Sequence, residues 1–145
     1  MLLVETRLGP SRIHGIGLMA HRPIARGAVV WQLHEPFDLL LPEAAFLDMP
    51  PPARRAIAYY APFHPLRRSF TLSGDDDRMT NHSDHPNTEM AYGADGTWIS
   101  VATRSIAIGE EITIDYRGLG WTWFCGMPAR YAGMAPPLGL NDLTE

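Results

Sequence analysis

Ten residues in mid-chain, Arg78-Met79-Thr80-Asn81-His82-Ser83-Asp84-His85-Pro86-Asn87, gather the side chains best suited to chemistry. Asn, Ser and Asp bond to nearby backbone and favour turns. Pro86 lacks an N–H and holds His85 out of the helical region. The segment reads as a rigid, irregular loop, too polar for a core helix or strand. Loops held by a scaffold are where binding and catalysis concentrate. Three chemistries fit the residue types. His82 and His85, with Asp75, Asp76, Asp77 and Asp84 near them, could ligate zinc or iron. Against that, Pro86 denies the segment helical geometry, and two histidines in a short loop are more often hydrogen-bonding residues. Ser83 with His and Asp suggests a hydrolase, but no nucleophile-elbow glycines surround it. Cys125, the single cysteine, has no identified His partner and reads as a small buried hydrophobe rather than a nucleophile.

The elements that must position this loop are short. Residues 2–7 alternate loosely and predict a strand, and Gly9-Pro10-Ser11 predicts a turn. Gly15-Ile16-Gly17 lets the backbone approach a ligand or another strand, a bulged hairpin being the plainer reading. Ala28-Val29-Val30-Trp31-Gln32-Leu33 is β-branched and aromatic, hence a strand. Pro42 and Glu43 open a short helix over 42–48, and 53–60 forms a second with Ile57 and Tyr60 on one side. Residues 35–68 therefore predict a small, mostly helical insertion in a β protein. Ser69–Leu72 follows as a strand. Gly93-Ala94-Asp95-Gly96 joins two strand-like runs as a hairpin, and Ile112–Tyr116 alternates as a last strand.

Composition narrows the class. The 145 residues suit one domain, and 46% hydrophobic content suits one core. A net charge of −4 argues against direct nucleic-acid binding and permits a basic partner. No apolar run is long enough for a membrane span, and the N-terminus lacks a signal-peptide pattern. The lone cysteine excludes an internal disulfide, and a cytoplasmic setting is the expectation. All 12 basic Lys/Arg positions are Arg. Genomic base composition explains this; an enzyme that must not modify itself is the functional alternative.

Several stretches taken together carry a resemblance. Gly15-Ile16-Gly17-Leu18-Met19-Ala20, Arg26-Gly27, the Asn81-His82-Ser83-Asp84-His85-Pro86-Asn87 loop and Gly109-Glu110-Glu111-Ile112-Thr113-Ile114-Asp115-Tyr116 follow one another in order. The chain resembles the SET-domain family of protein lysine methyltransferases over residues 4–126. The resemblance implies a mainly β fold, a β-clip of small curved sheets with a short helical insertion and a C-terminal pseudoknot. It implies one domain: 1–34 as the N-terminal part, 35–70 as the insertion, 71–118 as the C-terminal part, 119–145 as an aromatic and Gly-rich tail. The cofactor it implies is S-adenosyl-L-methionine, with S-adenosyl-L-homocysteine as product.

Residue by residue, the resemblance implies that Gly15, Ile16 and Gly17 offer backbone to the methionine end of the cofactor. Asn81 would hold its amino group and the His82 backbone its adenine edge. Tyr116 would be the catalytic residue, orienting amine and methyl. Trp31, Leu33, Ile114 and Trp121 would line a substrate channel, and Trp123 and Phe124 would lie against the cofactor. The simpler reading of His82's side chain is a brace, and of Asp115, Glu111 and Asn87 local turn bonds; Arg104 and Arg78 read as ion-pair partners. Many family members carry a three-cysteine zinc tail; here Trp123 stands at its first position and no later Cys follows, so no metal is expected. Ile114 stands where many members have Phe or Tyr, leaving room for more than one methyl. The expected partner is a basic protein or peptide with a target lysine. So small a chain offers a substrate groove little surface, which leaves room for a homodimer. The alternative is a degenerate SET domain that binds cofactor or protein as an interaction module.

Overall fold

The computed structural model describes residues 1–64 and 67–119. β1 (Thr6–Pro10) and β2 (Ile16–Ala20) form an antiparallel hairpin with Pro10 opposite Ile16. Ser11 builds its turn: the hydroxyl accepts from the amides of Ile13 at 2.8 Å and His14 at 3.1 Å. Gly15 closes the turn at φ 51°, a left-handed conformation that costs glycine little. The strand expected over 2–7 is thus displaced toward the C-terminus. Pro10 tolerates strand placement because β1 has a single neighbour and no further ladder bond is asked of it. Leu2 makes only a bridge to Trp31, within β3 (Val29–Gln32).

The insertion is less helical than expected. β4 (Leu39–Pro42) leads into α1 (Glu43–Leu47), and α2 (Pro51–Tyr60) into β5 (Phe63–His64) and β6 (Ser69–Leu72). The three strands form their own antiparallel sheet, β4-β6-β5. Pro42 accounts for β4, since it disfavours a helical Leu41. Extended, Leu41 reaches the cluster of Phe46, Ala58, Ala61 and Phe70, where the rings of Phe46 and Phe70 stack at 4.1 Å. Pro50 and Pro51 start α2, a position where their missing N–H groups have no helical partner to lose. His64 fastens the insertion to the central sheet. Its Nε2 lies 3.4 Å from the Tyr92 hydroxyl and its ring 4.8 Å from Trp98. Burial lowers its pKa, so the ring is held neutral.

A 3₁₀ turn (Asp76–Met79) precedes β7 (Asn81–His82). β8 (Thr88–Tyr92) and β9 (Trp98–Ala102) form the expected hairpin. β10 (Thr113–Ile114) ends earlier than expected: the Asp115 carboxylate accepts from the Arg117 amide at 2.9 Å and turns the chain, so Tyr116 opens a 3₁₀ turn. The central sheet runs β3-β9-β8-β10-β7. β10 lies parallel to both β7 and β8, between two strands joined directly by residues 83–87. The polar loop therefore does contribute a strand. Asn81 and His82 are both buried, at 9% and 8% exposure, because β10 satisfies their backbone and their side chains find partners. The main core, Leu18, Ala20, Ile24, Val30, Ala102, Ile106 and Ile112, packs the hairpin on the central sheet. No helix among the described residues is long and apolar enough to cross a membrane.

Candidate functional site

Asn81 and Gly17 meet through a third residue, Glu111. The Asn81 Nδ2 donates to the carbonyls of His14 and Ile16, each at 3.1 Å, and to Glu111 Oε1 at 2.8 Å. The Ser11 hydroxyl lies at 2.8 and 2.9 Å from the two Glu111 carboxylate oxygens. A Cβ on Gly17 would sit 2.2 Å from Glu111 Oε1. The second glycine of Gly15-Ile16-Gly17 is thus required by this carboxylate. Glu111 is a hub between hairpin and central sheet, not the local turn residue expected. Among the described residues no hydrogen bond reaches Asn81 Oδ1, which leaves an acceptor beside the Gly15 turn.

Asn87 also exceeds its expected local role. Its Oδ1 accepts from the Thr113 amide at 2.8 Å, and its Nδ2 donates to the Glu111 carbonyl at 2.8 Å and Glu110 Oε1 at 3.2 Å. At 1% exposure it clamps the approach to β10. His82 braces the far side: Nδ1 accepts from the Tyr116 amide at 3.1 Å, and Nε2 lies 3.4 Å from Asp84. Arg117 spans Asp84 and Asp115, each at 2.8 Å, and Arg104 pairs with Glu110 at 2.6 Å. Ser83 Oγ accepts from the His85 amide at 3.0 Å, an ordinary turn bond. Among the described residues no group of three or more His, Cys, Asp or Glu could hold a metal.

The phenol of Tyr116 reaches two residues upstream of His82, donating to the Thr80 carbonyl at 2.6 Å. Burial, followed by nearby Tyr59, Asp77 and Glu111, raises its pKa well above the ordinary phenol value. The hydroxyl is therefore a neutral donor. It lies on a cavity walled by Trp31, Tyr60, Trp98, Met90 and Ile114, with Thr71, Ser73, Asp77 and Thr80 as polar members. Trp31 and Trp98 meet edge to face at 6.3 Å, and the Trp31 indole N–H donates to Ser73 Oγ at 3.0 Å.

The structure thus brings Tyr116, Asn81 and His82 together, with Gly15, Ile16 and Gly17 alongside. Trp31 and Ile114 line the cavity, while Leu33 packs in the cluster formed with them and Trp98. Trp121, Trp123 and Phe124 lie outside the described residues. Sequence reasoning did not place Tyr60, Thr71, Asp77 and Trp98, among others, on the cavity wall. Trp98 had a signal, since β9 alternates and buries Trp98, Ser100 and Ala102. From sequence, Asp77 is weighed only as a metal ligand within an acidic run, a pattern that otherwise reads as a solvated turn and says nothing of a cavity.

A strand seated between two consecutive parallel partners, beside a buried phenol and an Asn-bound glycine turn, defines a β domain of small sheets. A family model described as SET domain matches residues 15–117. The chain belongs to the SET-domain family. Its fold is similar to the crystal structure of a candidate histone methyltransferase from Plasmodium falciparum, at 18% identity and a TM-score of 0.58. That match covers 79% of this chain and 95% of the other. It is also similar to a humanized mutant of the Chaetomium thermophilum Polycomb Repressive Complex 2 bound to an inhibitor, at 20% identity and a TM-score of 0.58. There the match covers 78% of this chain but 15% of the other. At such identities the likeness is one of fold. A search of curated protein sequences found no match.

Proposed function

We propose that this protein is an S-adenosylmethionine-dependent protein lysine N-methyltransferase acting on a basic protein or peptide. The observation that carries the reading is the position of Tyr116. Its backbone is bound to His82, next to Asn81, and its hydroxyl lies in an aromatic cavity. The residues fit the cofactor. Asn81 presents Oδ1 as an acceptor for an ammonium, its Nδ2 being engaged by the turn. Ile16 is 54% exposed, and open space lies where a Cβ on Gly15 would project. Gly15, Ile16, Gly17, Asn81 and the His82 backbone would hold the cofactor. When bound, it supplies a methyl group carried on a sulfonium.

The chain's own residues do the rest. Thr80 fixes the direction of the Tyr116 hydroxyl, and that fixed edge aligns an entering amine. Trp31, Tyr60 and Trp98 exclude water and favour the neutral amine over the ammonium. Ile114, smaller than an aromatic, leaves room for an amine that already bears a methyl. Tyr60 belongs to α2, so the insertion would shape the substrate side. Calorimetry with S-adenosylhomocysteine and labelled methyl transfer to a cell lysate test the reading together. The expected result is binding plus transfer lost in Tyr116→Phe. Binding without Tyr116-dependent transfer would leave an interaction module instead.

A further inference from the structure

Two polar groups in the cavity take no part in holding the cofactor or fixing the Tyr116 hydroxyl. Thr71 is 3% exposed on β6, lines the cavity, and its Oγ1 has no hydrogen-bond partner. A buried hydroxyl without a partner is costly and points to a ligand group that would supply one. Asp77 lines the same cavity from the 3₁₀ turn. Its Oδ1 lies 3.5 Å from the Thr80 hydroxyl, and among the described residues no hydrogen bond reaches its Oδ2. Thr80 connects this carboxylate to the reaction site, because its carbonyl holds the Tyr116 hydroxyl. A carboxylate, a hydroxyl and aromatic walls in one cavity are what a primary ammonium requires.

The geometry points to a primary-ammonium site inside the cavity, in which the Asp77 carboxylate and the Thr71 hydroxyl receive the lysine head group and Asp77 takes its proton. The inference rests on the proposed methyltransferase reading and deepens it. The step balances. An N–H bond breaks, its electron pair stays on nitrogen, and the proton bonds to a carboxylate oxygen. An ammonium and a carboxylate become an amine and a carboxylic acid, and Asp77 later yields the proton to water at the cavity mouth. The surroundings favour this direction, because one apolar cavity disfavours both charged forms. Burial, then the Asp75 carboxylate, raise the Asp77 pKa to about 7, with Asp38 adding to the rise. The Met1 ammonium and the Thr80 hydroxyl act the other way. Of the other ionisable groups nearby, Tyr59 has its own pKa raised and Tyr116 stays neutral. Tyr60 also faces the cavity, Glu111 lies beyond Tyr116, and Arg78 lies exposed on the rim.

The probe is n-butylammonium, the end of a lysine side chain, with 1-butanol as its neutral counterpart. Amide and indole NMR shifts of the full chain near pH 8 read the binding. The expected result is saturable shifts at Thr71, Asp77 and the Trp31 indole for n-butylammonium. Asp77→Asn should weaken its affinity at least about tenfold and Thr71→Val about threefold, with 1-butanol unaffected by either. Equal affinity in Asp77→Asn, or shifts that fall elsewhere, would overturn the site. Methyl transfer to a peptide library with one fixed lysine reads the proton. Wild-type kcat/KM should rise with pH through about 7, and Asp77→Asn should lose that limb and respond only to the amine's own ionisation. An unchanged limb would overturn the acceptor role. S-adenosylhomocysteine calorimetry on each variant keeps the two readings apart, since n-butylammonium binding needs no cofactor. A protein that binds the ammonium through Asp77 but not the nucleoside would retain this site and lose the methyltransferase reading.

Discussion

Asn87 holds three partners at long range, so removing its side chain strands all of them. Asn87→Ala leaves the Thr113 amide and the Glu111 carbonyl without their bonds in a buried region. The expected loss is roughly 3 kcal/mol in urea unfolding, from two or more unsatisfied buried groups. Asp77 behaves in the opposite way. Its folded pKa is raised to about 7, so the unfolded chain gives up this proton at lower pH than the folded one does. The folded state therefore loses ground as pH climbs from about 4 to about 7. Asp77→Asn is expected to stabilise the fold by roughly 2 kcal/mol near pH 8 and by almost nothing near pH 4, once solvent screening through the open cavity is allowed for. Urea titrations at the two pH values check this. On the proposed reading, in which the hydroxyl aligns the reactants rather than holding the cofactor, Tyr116→Phe should lower kcat about a hundredfold while S-adenosylhomocysteine affinity holds. Single residues were unevenly legible in the sequence. Asn81 and His82 stood out because polar types cluster around a proline, whereas Tyr116 was singled out by the resemblance to the SET-domain family, its strand pattern alone marking only a strand aromatic. Asn87 was misread as local because spacing along the chain carries no information about a partner 26 positions away.

At the scale of elements, the Glu111 carboxylate joins the Asn81 amide and backbone bonds such as Ile112 N–H to the Leu18 carbonyl in tying the β1–β2 hairpin to the central sheet. Gly17→Ala would drive a methyl into Glu111, whose oxygens are already fixed by Ser11 and Asn81. Glu111 would have to leave both partners. Gly17→Ala and Glu111→Ala should each destabilise the fold by about 1–2 kcal/mol, yet the double variant should cost clearly less than their sum. Additive losses in a double-mutant cycle would show that the clash is relieved some other way. The hairpins of this protein were readable from glycine and alternation, and both helices of the insertion from proline and spacing. β4 was not. Leu39-Leu40-Leu41 suits helix or strand equally, and the choice is made by Pro42 and by a partner, β6, that lies some thirty residues on. β7 was hidden for a related reason: a two-residue polar strand is stable only because β10 supplies its backbone with a neighbour.

For the molecule as a whole, the acidic balance predicts that a basic substrate is drawn in by long-range attraction. Raising salt from about 50 to about 300 mM should lower kcat/KM for an arginine-flanked lysine peptide about threefold, with kcat nearly unchanged. An unaltered KM would argue for a neutral substrate face. The fold class was legible because short strands, few helices and Gly/Pro punctuation leave little else, whereas the sheet order was not, since no local pattern reports which strand lies in the middle. That order has a consequence for synthesis. β10, the last strand made among those described, occupies an interior position, and β7 has no other neighbour in the sheet. Until Ile114 has left the ribosome, β8 presents a bare edge and β7 has nothing to pair with. A stalled or truncated nascent chain would thus expose open strand edges, the kind of surface that recruits chaperones or aggregates.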